Sequence, residues 1–316
     1  MPHLDPGARA VHCAVLLVVL SLLVACSGGD ETTAEGTAST STATVSTTTA
    51  PPPPPPPELP GGGREIFPAR RVVAYYGHPG APVLGALGEA APADIAARVR
   101  VAGAAFAEPG RPVLGAFELI ASVAQASPGA DGDYSEPSDA AVILPWLEAA
   151  RANDMLLLLD VQPGRAPFTD EVKRYEDLLR EPDVGLALDS EWRMAPDEVP
   201  GRTVGQVSAA EVNEVSAWLA DIVREDDLPE KLFVLHQFTP DMIQDREAVL
   251  DRPGLATVVH LDGFGGGEVK RQKYAELHAD APLANGFKLF YKHDVGLLTP
   301  PEVLALVPSP DLITYQ

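Results

Sequence analysis

Cysteine is nearly absent: the 316 residues hold two, Cys13 and Cys26. Everything beyond Cys26 therefore forms neither a disulfide nor a cysteine metal site and is held by its core alone. Basic residues are also scarce. Lys and Arg number 23 against 45 Asp and Glu, a net charge of −22. Four acids and no base lie in 27–63, and Asp5 and Arg9 cancel, so the remainder keeps −18. Such a surface repels nucleic acid and anionic lipid headgroups. No apolar run reaches the length of an ordinary membrane-spanning helix. No G-x-G-x-x-G follows the first apolar strand, which removes the usual dinucleotide fingerprint. The run "GFGGGE" (263–268) has no lysine at Walker spacing and reads as a flexible loop rather than a phosphate cradle.

What is there divides into three parts. Residues 1–26 hold a short leader with Arg9, an apolar run from Cys13 to Ala25, and then Cys26. The run is about right for the h-region of a signal peptide. Its end, Leu23-Val24-Ala25-Cys26, resembles the lipobox of bacterial lipoproteins. The resemblance implies cleavage before Cys26, lipid on that cysteine, and an extracytoplasmic protein held at the membrane by lipid only. Residues 27–63 are rich in Thr, Ser and Ala, then polyproline, then glycine. This composition predicts a disordered tether with a stiff proline rod. Residues 64–316 are long enough to bury one large core.

That last part has a period. Apolar runs at 71–77, 112–120, 155–161, 184–191, 231–238, 255–262, 286–293 and 311–316 are short and rich in Val, Leu, Ile, Phe and Tyr. Strands buried on both faces read this way. Helical spacing is expected over 91–107, 138–154, 168–181, 208–225, 239–251, 267–280 and 299–307. Thr169 is a candidate N-cap, Ser208-x-x-Glu211 a capping box, and Pro145 an expected kink. Eight strands alternating with seven helices predict an α/β fold, a (β/α)8 barrel without an eighth helix. Residues 79–90 are the candidate cover for the exposed flank.

In such a barrel the site lies at the C-terminal strand ends. In "VGLALDSEW" (184–192), Gly185, Ala187, Asp189 and Glu191 share one strand face, which puts two carboxylates at the rim. A salt bridge from Glu191 to Arg193 is the bland alternative. Other strand ends are polar too: Tyr76, Glu118, Asp160, His236, Gln237, His260 and Asp262, with Trp192 and Tyr291 as candidate sugar-stacking rings. The two histidines invite a metal reading, but the His-x-His of metal-dependent barrels is missing; only His78 stands near strand one.

The stretch 184–192 resembles the strand-four signature of the family 18 glycoside hydrolases, chitinase-like (β/α)8 barrels. Gly185, Leu186, Leu188, Asp189 and Glu191 match it; Val184 and Ala187 replace the family's first two aspartates. The resemblance implies that Glu191 is a general acid and Asp189 its helper. Asp160, Asp262, His236, Gln237, Tyr76, Glu118, Trp192 and Tyr291 are then the expected substrate-binding set. It calls for no metal and no organic cofactor. The expected partner is a polysaccharide such as cell-wall glycan, and the expected state a monomer. The alternative is a non-catalytic carbohydrate-binding or scaffold lipoprotein on the same barrel.

Overall fold

A computed structural model describes residues 55–316; the expected signal peptide, Cys26 and most of the tether lie outside the described residues. The eight expected strands form: β1 Arg71–Gly77, β2 Val113–Ala124, β3 Leu156–Val161, β4 Val184–Asp189, β5 Lys231–Gln237, β6 Leu255–Leu261, β7 Ala284–Leu289 and β8 Leu312–Tyr315. Each pairs in parallel with the next, and β1 pairs with both β2 and β8, so the sheet closes. The (β/α)8 barrel is what the alternation of apolar runs predicts. Successive residues face opposite sides. Val72, Ala74, Leu114, Leu156, Leu158, Ala187, Val234 and Val258 fill the interior. Their neighbours Val73, Phe117, Leu157, Leu186, Phe233 and Ile313 pack under the helices.

The helices are α1 Pro92–Ala104, α2 Ala140–Arg151, α3 Phe168–Val172, α4 Glu176–Leu179, α5 Ala209–Glu225, α6 Gly267–Leu277 and α7 Pro300–Leu304. Several expectations need correction. The segment 239–251 is not an α-helix. It makes two single 3-10 turns, Pro240–Met242 and Arg246–Ala248, because Asp245 between them sits at φ 54°. The segment 168–181 breaks into α3 and α4 around a 3-10 turn, and Pro167, not Thr169, stands at its N-cap. α2 runs through Pro145. At α5, Ser208 caps Glu211 N–H at 3.2 Å, but the Glu211 carboxylate turns away to other partners. The reciprocal box forms instead at Thr299–Glu302 of α7.

The N-terminal end of the barrel is plugged by the segment 59–66, whose first residues, 59–63, composition assigns to the tether. Leu59 and Ile66 are buried among the interior residues of the strands. A tight turn returns the chain there, with Leu59 N–H donating to the Gly63 carbonyl. Glu230 accepts from the Ile66 N–H at 2.5 Å, and Arg64 donates to the Leu228 carbonyl at 2.9 Å. The folded unit thus begins before residue 64, sooner than the composition predicts. Arg71, 1% exposed, ties β1 to the loops before β2 and β8 by donating to the Phe106 and Pro310 carbonyls and to Glu108.

Residues 79–90 do not cover the flank where an eighth helix would lie. They form two 3-10 turns that pack over the C-terminal ends of β1 and β2, with Ala86 and Leu87 buried. Gly85 allows this: at φ 141° its bare Cα lies against the backbone of Tyr76 and Gly77. The flank itself keeps a shallow groove between α1 and α7, lined by Tyr75, Val101, Tyr291, Leu297 and Tyr315.

Leu59→Ala and Ile66→Ala are each expected to lower unfolding free energy by about 2–4 kcal/mol, because each empties a fully packed barrel end. Urea denaturation measures it. An unchanged midpoint in Leu59→Ala would return that residue to the tether.

Candidate active site

Interior parity carries polar side chains upward from the apolar layers. Two residues beyond Ala74 is Tyr76; beyond Leu158, Asp160; beyond Ala187, Asp189; beyond Val234, His236; and beyond Val258, His260 and Asp262. Glu118 follows Ala116, and Lys288 follows Gly286. All eight are buried. Charged groups tolerate this only when paired or hydrogen-bonded.

His236 is the centre of the pairing. Its Nδ1 lies 2.8 Å from Asp262 Oδ2 and its Nε2 2.8 Å from Glu118 Oε1. Carboxylates on both sides hold the imidazole charged well above the ordinary histidine range, against the cost of burial. Thr314 donates to the other Glu118 oxygen at 3.0 Å, and Lys288 donates to Asp262 at 3.1 Å while resting 3.4 Å above the Tyr76 ring. Burial opposes ionisation of Glu118 and Asp262, but Lys288 and His236 overcome it and hold Asp262 far below the usual carboxylate range. Two cations therefore answer two carboxylates.

Three more carboxyl groups share the space without a cation of their own. Asp160 accepts from the Tyr76 hydroxyl at 3.0 Å, and Gln162 donates to that hydroxyl at 3.1 Å. Burial and the nearby Asp189 push Asp160 well above its ordinary value. Asp189 accepts from the Gln162 amide at 3.5 Å, and the Glu191 backbone N–H favours its charged form; its Oδ1 has no hydrogen-bond partner among the described residues. Burial is the main cause that pushes it up to about 6.

Glu191 sits just past β4, in the 3-10 turn Ser190–Trp192, whose backbone is fixed by Gly205 N–H on the Glu191 carbonyl. The bland alternative for it fails. Arg193 pairs with Glu211 at 2.9 Å, and Glu211 also holds the Phe168 N–H. Glu191 is left without an ion pair among the described residues. Burial first, then Asp189 and Asp262, push it up to about 8. Two neighbouring carboxyls with values spread about neutrality can supply one acid and one anion.

A cavity of about 480 Å3 opens above this floor. Tyr76, Gln162, Asp189, Glu191, Asp262 and Lys288 reach it, and Trp192, Phe238, Phe264 and Phe290 wall it. Phe264, 68% exposed, packs edge-on against Phe290 at 5.9 Å and lies beside His293. Asp294 fixes both loops behind these rings: it accepts from the N–H groups of Gly265 and Phe290 and from Lys270.

Of the expected residues, Tyr76, Asp189, Glu191, Trp192 and Asp262 line the cavity. Glu118, Asp160 and His236 lie under its floor. Two do not belong there. Gln237 faces away from the interior, where its amide donates to the Thr239 and Pro240 carbonyls and accepts from Arg246. Tyr291 bonds the Tyr75 hydroxyl and stacks on Tyr315 in the flank groove. Lys288 escaped notice, although a lone lysine inside an apolar strand, two residues before Phe290, is the signal that marks it. Gln162 and Phe264, a polar strand end and a ring of a strand-end loop, line the cavity as well, with Phe238 and Phe290.

Glu118, Asp160 and His236 place one donor atom each within 4.8 Å of one another. Both His236 nitrogens face carboxylates already, so no lone pair points into that cluster. His260, pushed down to about 3 by burial and the His236 charge, is neutral, and neither ring nitrogen has a partner among the described residues. Gly286 makes room for it; a Cβ there would strike the ring.

No protein-family model matches the chain, and no curated protein matches it.

Glu191 keeps its proton in the folded state up to about pH 8 and loses it near 4.5 when unfolded. Its contribution is full below the unfolded value and is lost as pH rises through the folded one. Glu191→Gln removes that loss. The melting-temperature difference, variant minus wild type, is expected to grow by about 2–4 °C or more between pH 5 and pH 9. A constant difference across that range, read by scanning calorimetry, contradicts a buried protonated Glu191.

Proposed function

We propose that this chain is a lipid-anchored, extracytoplasmic barrel that cleaves a glycosidic bond in a polysaccharide, with Glu191 as general acid. The observation that carries the reading is Glu191 itself: a carboxyl without an ion pair among the described residues, held protonated at neutral pH, at the edge of an aromatic-walled cavity beside a second carboxyl. Aromatic walls above hydrogen-bonding carboxyls suit sugar rings, which offer apolar faces and polar edges. The match of 184–192 to the family 18 signature supports the same roles, and the lipobox-like end at Cys26 supports the anchor. Cell-wall glycan is the polymer such an anchor would put within reach.

In the proposed step, the Glu191 carboxyl donates its proton to the glycosidic oxygen as the bond from that oxygen to the anomeric carbon breaks. The leaving sugar departs as a neutral alcohol. Positive charge spreads over the anomeric carbon and ring oxygen, next to ionised Asp189. Water adds to the anomeric carbon and returns a proton to Glu191. Lys288 and His236 keep Asp262 and Glu118 ionised beneath.

A second reading is a binding module on the same barrel. Val184 and Ala187, where the family 18 signature has aspartates, favour it.

Glu191→Gln is expected to lower turnover of aryl glycosides or cell-wall glycans by about 10^2–10^4-fold while glycan binding persists. The rate should rise with pH through about 6 as Asp189 ionises and fall through about 8 as Glu191 loses its proton. No turnover by either protein, with equal glycan binding, supports the binding module instead.

A further inference from the structure

We infer that the cavity takes a positively charged amino group, so that the substrate class is a sugar bearing a free amine. The inference rests on the glycan reading and narrows it. Its ground is a charge mismatch built into the site. The two buried cations, Lys288 and His236, are committed to Asp262 and Glu118 at 2.8–3.1 Å. Asp189 and Glu191 have no cation within ion-pair distance among the described residues, and Asp160 has only His236, at 3.7 Å. The 3.7 Å approach of His236 to Asp160 is too long for a hydrogen bond.

The second observation is a vacant acceptor. Asp189 is 2% exposed and lines the cavity, yet its Oδ1 has no donor among the described residues. A buried carboxylate oxygen without a donor is costly. A sugar hydroxyl or an acetamide N–H would fill the lone pair but leave the charge mismatch in place. An ammonium does both. Trp192 and Phe238 line the same cavity, and aromatic rings attract cations. The field of a chain with net charge −22 draws cations inward.

The opposing charges sit to one side. Lys273 of α6 and His293 beyond β7 also line the cavity. Lys273 donates to the Phe238 carbonyl at 3.1 Å, which holds its ammonium at the rim. Lys288 is drawn down onto Asp262 and Tyr76. The amine therefore docks on the β3–β4 side, at Asp189.

The test is calorimetric titration of the full-length protein with a β-1,4-linked glucosamine tetramer and with its fully N-acetylated counterpart. At pH 7 the amine tetramer is expected to bind about 10- to 100-fold more tightly, the range of a charge-assisted hydrogen bond. The preference should shrink at high salt. It should also shrink below pH 6, where Asp189 gains a proton. Asp189→Asn should bind both tetramers alike, and its melting curve shows whether it folds. The pH profile of the wild type tests the same point without any variant. Equal binding of the two tetramers, or tighter binding of the N-acetylated one, overturns the amine inference and leaves the glycan reading standing. Binding of neither overturns both. Stoichiometric magnesium or zinc binding lost in Asp189→Asn assigns the charge mismatch to a metal and overturns it as well.

Discussion

His236 lies between two carboxylates, Glu118 and Asp262, at 2.8 Å from each, at the heart of a closed barrel. The rest of the site follows from this contact. An imidazolium so placed stabilises two buried anions, and Lys288 shares one of them. With both cations engaged, the remaining carboxyls cannot ionise freely. Asp160 is pushed well above its ordinary value, and Asp189 and Glu191 rise toward and past neutrality. The acid–base character of the cavity is thus set one layer below it.

Barrel closure makes that layer possible. Eight strands in parallel register bring residues more than a hundred positions apart, such as Glu118 and His236, into hydrogen-bond range. The apolar interior beneath them, sealed at the far end by Leu59 and Ile66, keeps water away from the ion pairs. A drier floor strengthens each electrostatic interaction above it. The same dryness raises the demand for a partner at every unsatisfied group, and Asp189 Oδ1 has none among the described residues.

The mouth is arranged by second-tier contacts. Glu211 draws Arg193 away from Glu191, so one ion pair on α5 decides the protonation state of a carboxyl at the rim. Asp294 gathers the loops after β6 and β7 and sets Phe264 and Phe290 edge to face over the cavity.

The sequence by itself determined the architecture and the polarity of the barrel. Eight apolar runs at regular spacing leave few other folds, and the polar ends at Tyr76, Asp160, Asp189, His236 and Asp262 mark which end carries the site. Period-two alternation also placed Asp189 on the inner face and Glu191 at the rim next to it. Tertiary structure decided what depends on distant partners. Whether Glu191 pairs with Arg193 turned on Glu211, twenty residues on and in another helix. Where Tyr291 and Gln237 settle turned on distant partners, Tyr75 and Tyr315 for the first and Arg246 for the second. The role of Lys288 rests on Tyr76 and Asp262, which approach it only when the barrel closes. Local pattern fixes which face a side chain takes; only closure fixes which charges it meets, and charge pairing decides which carboxyl holds a proton.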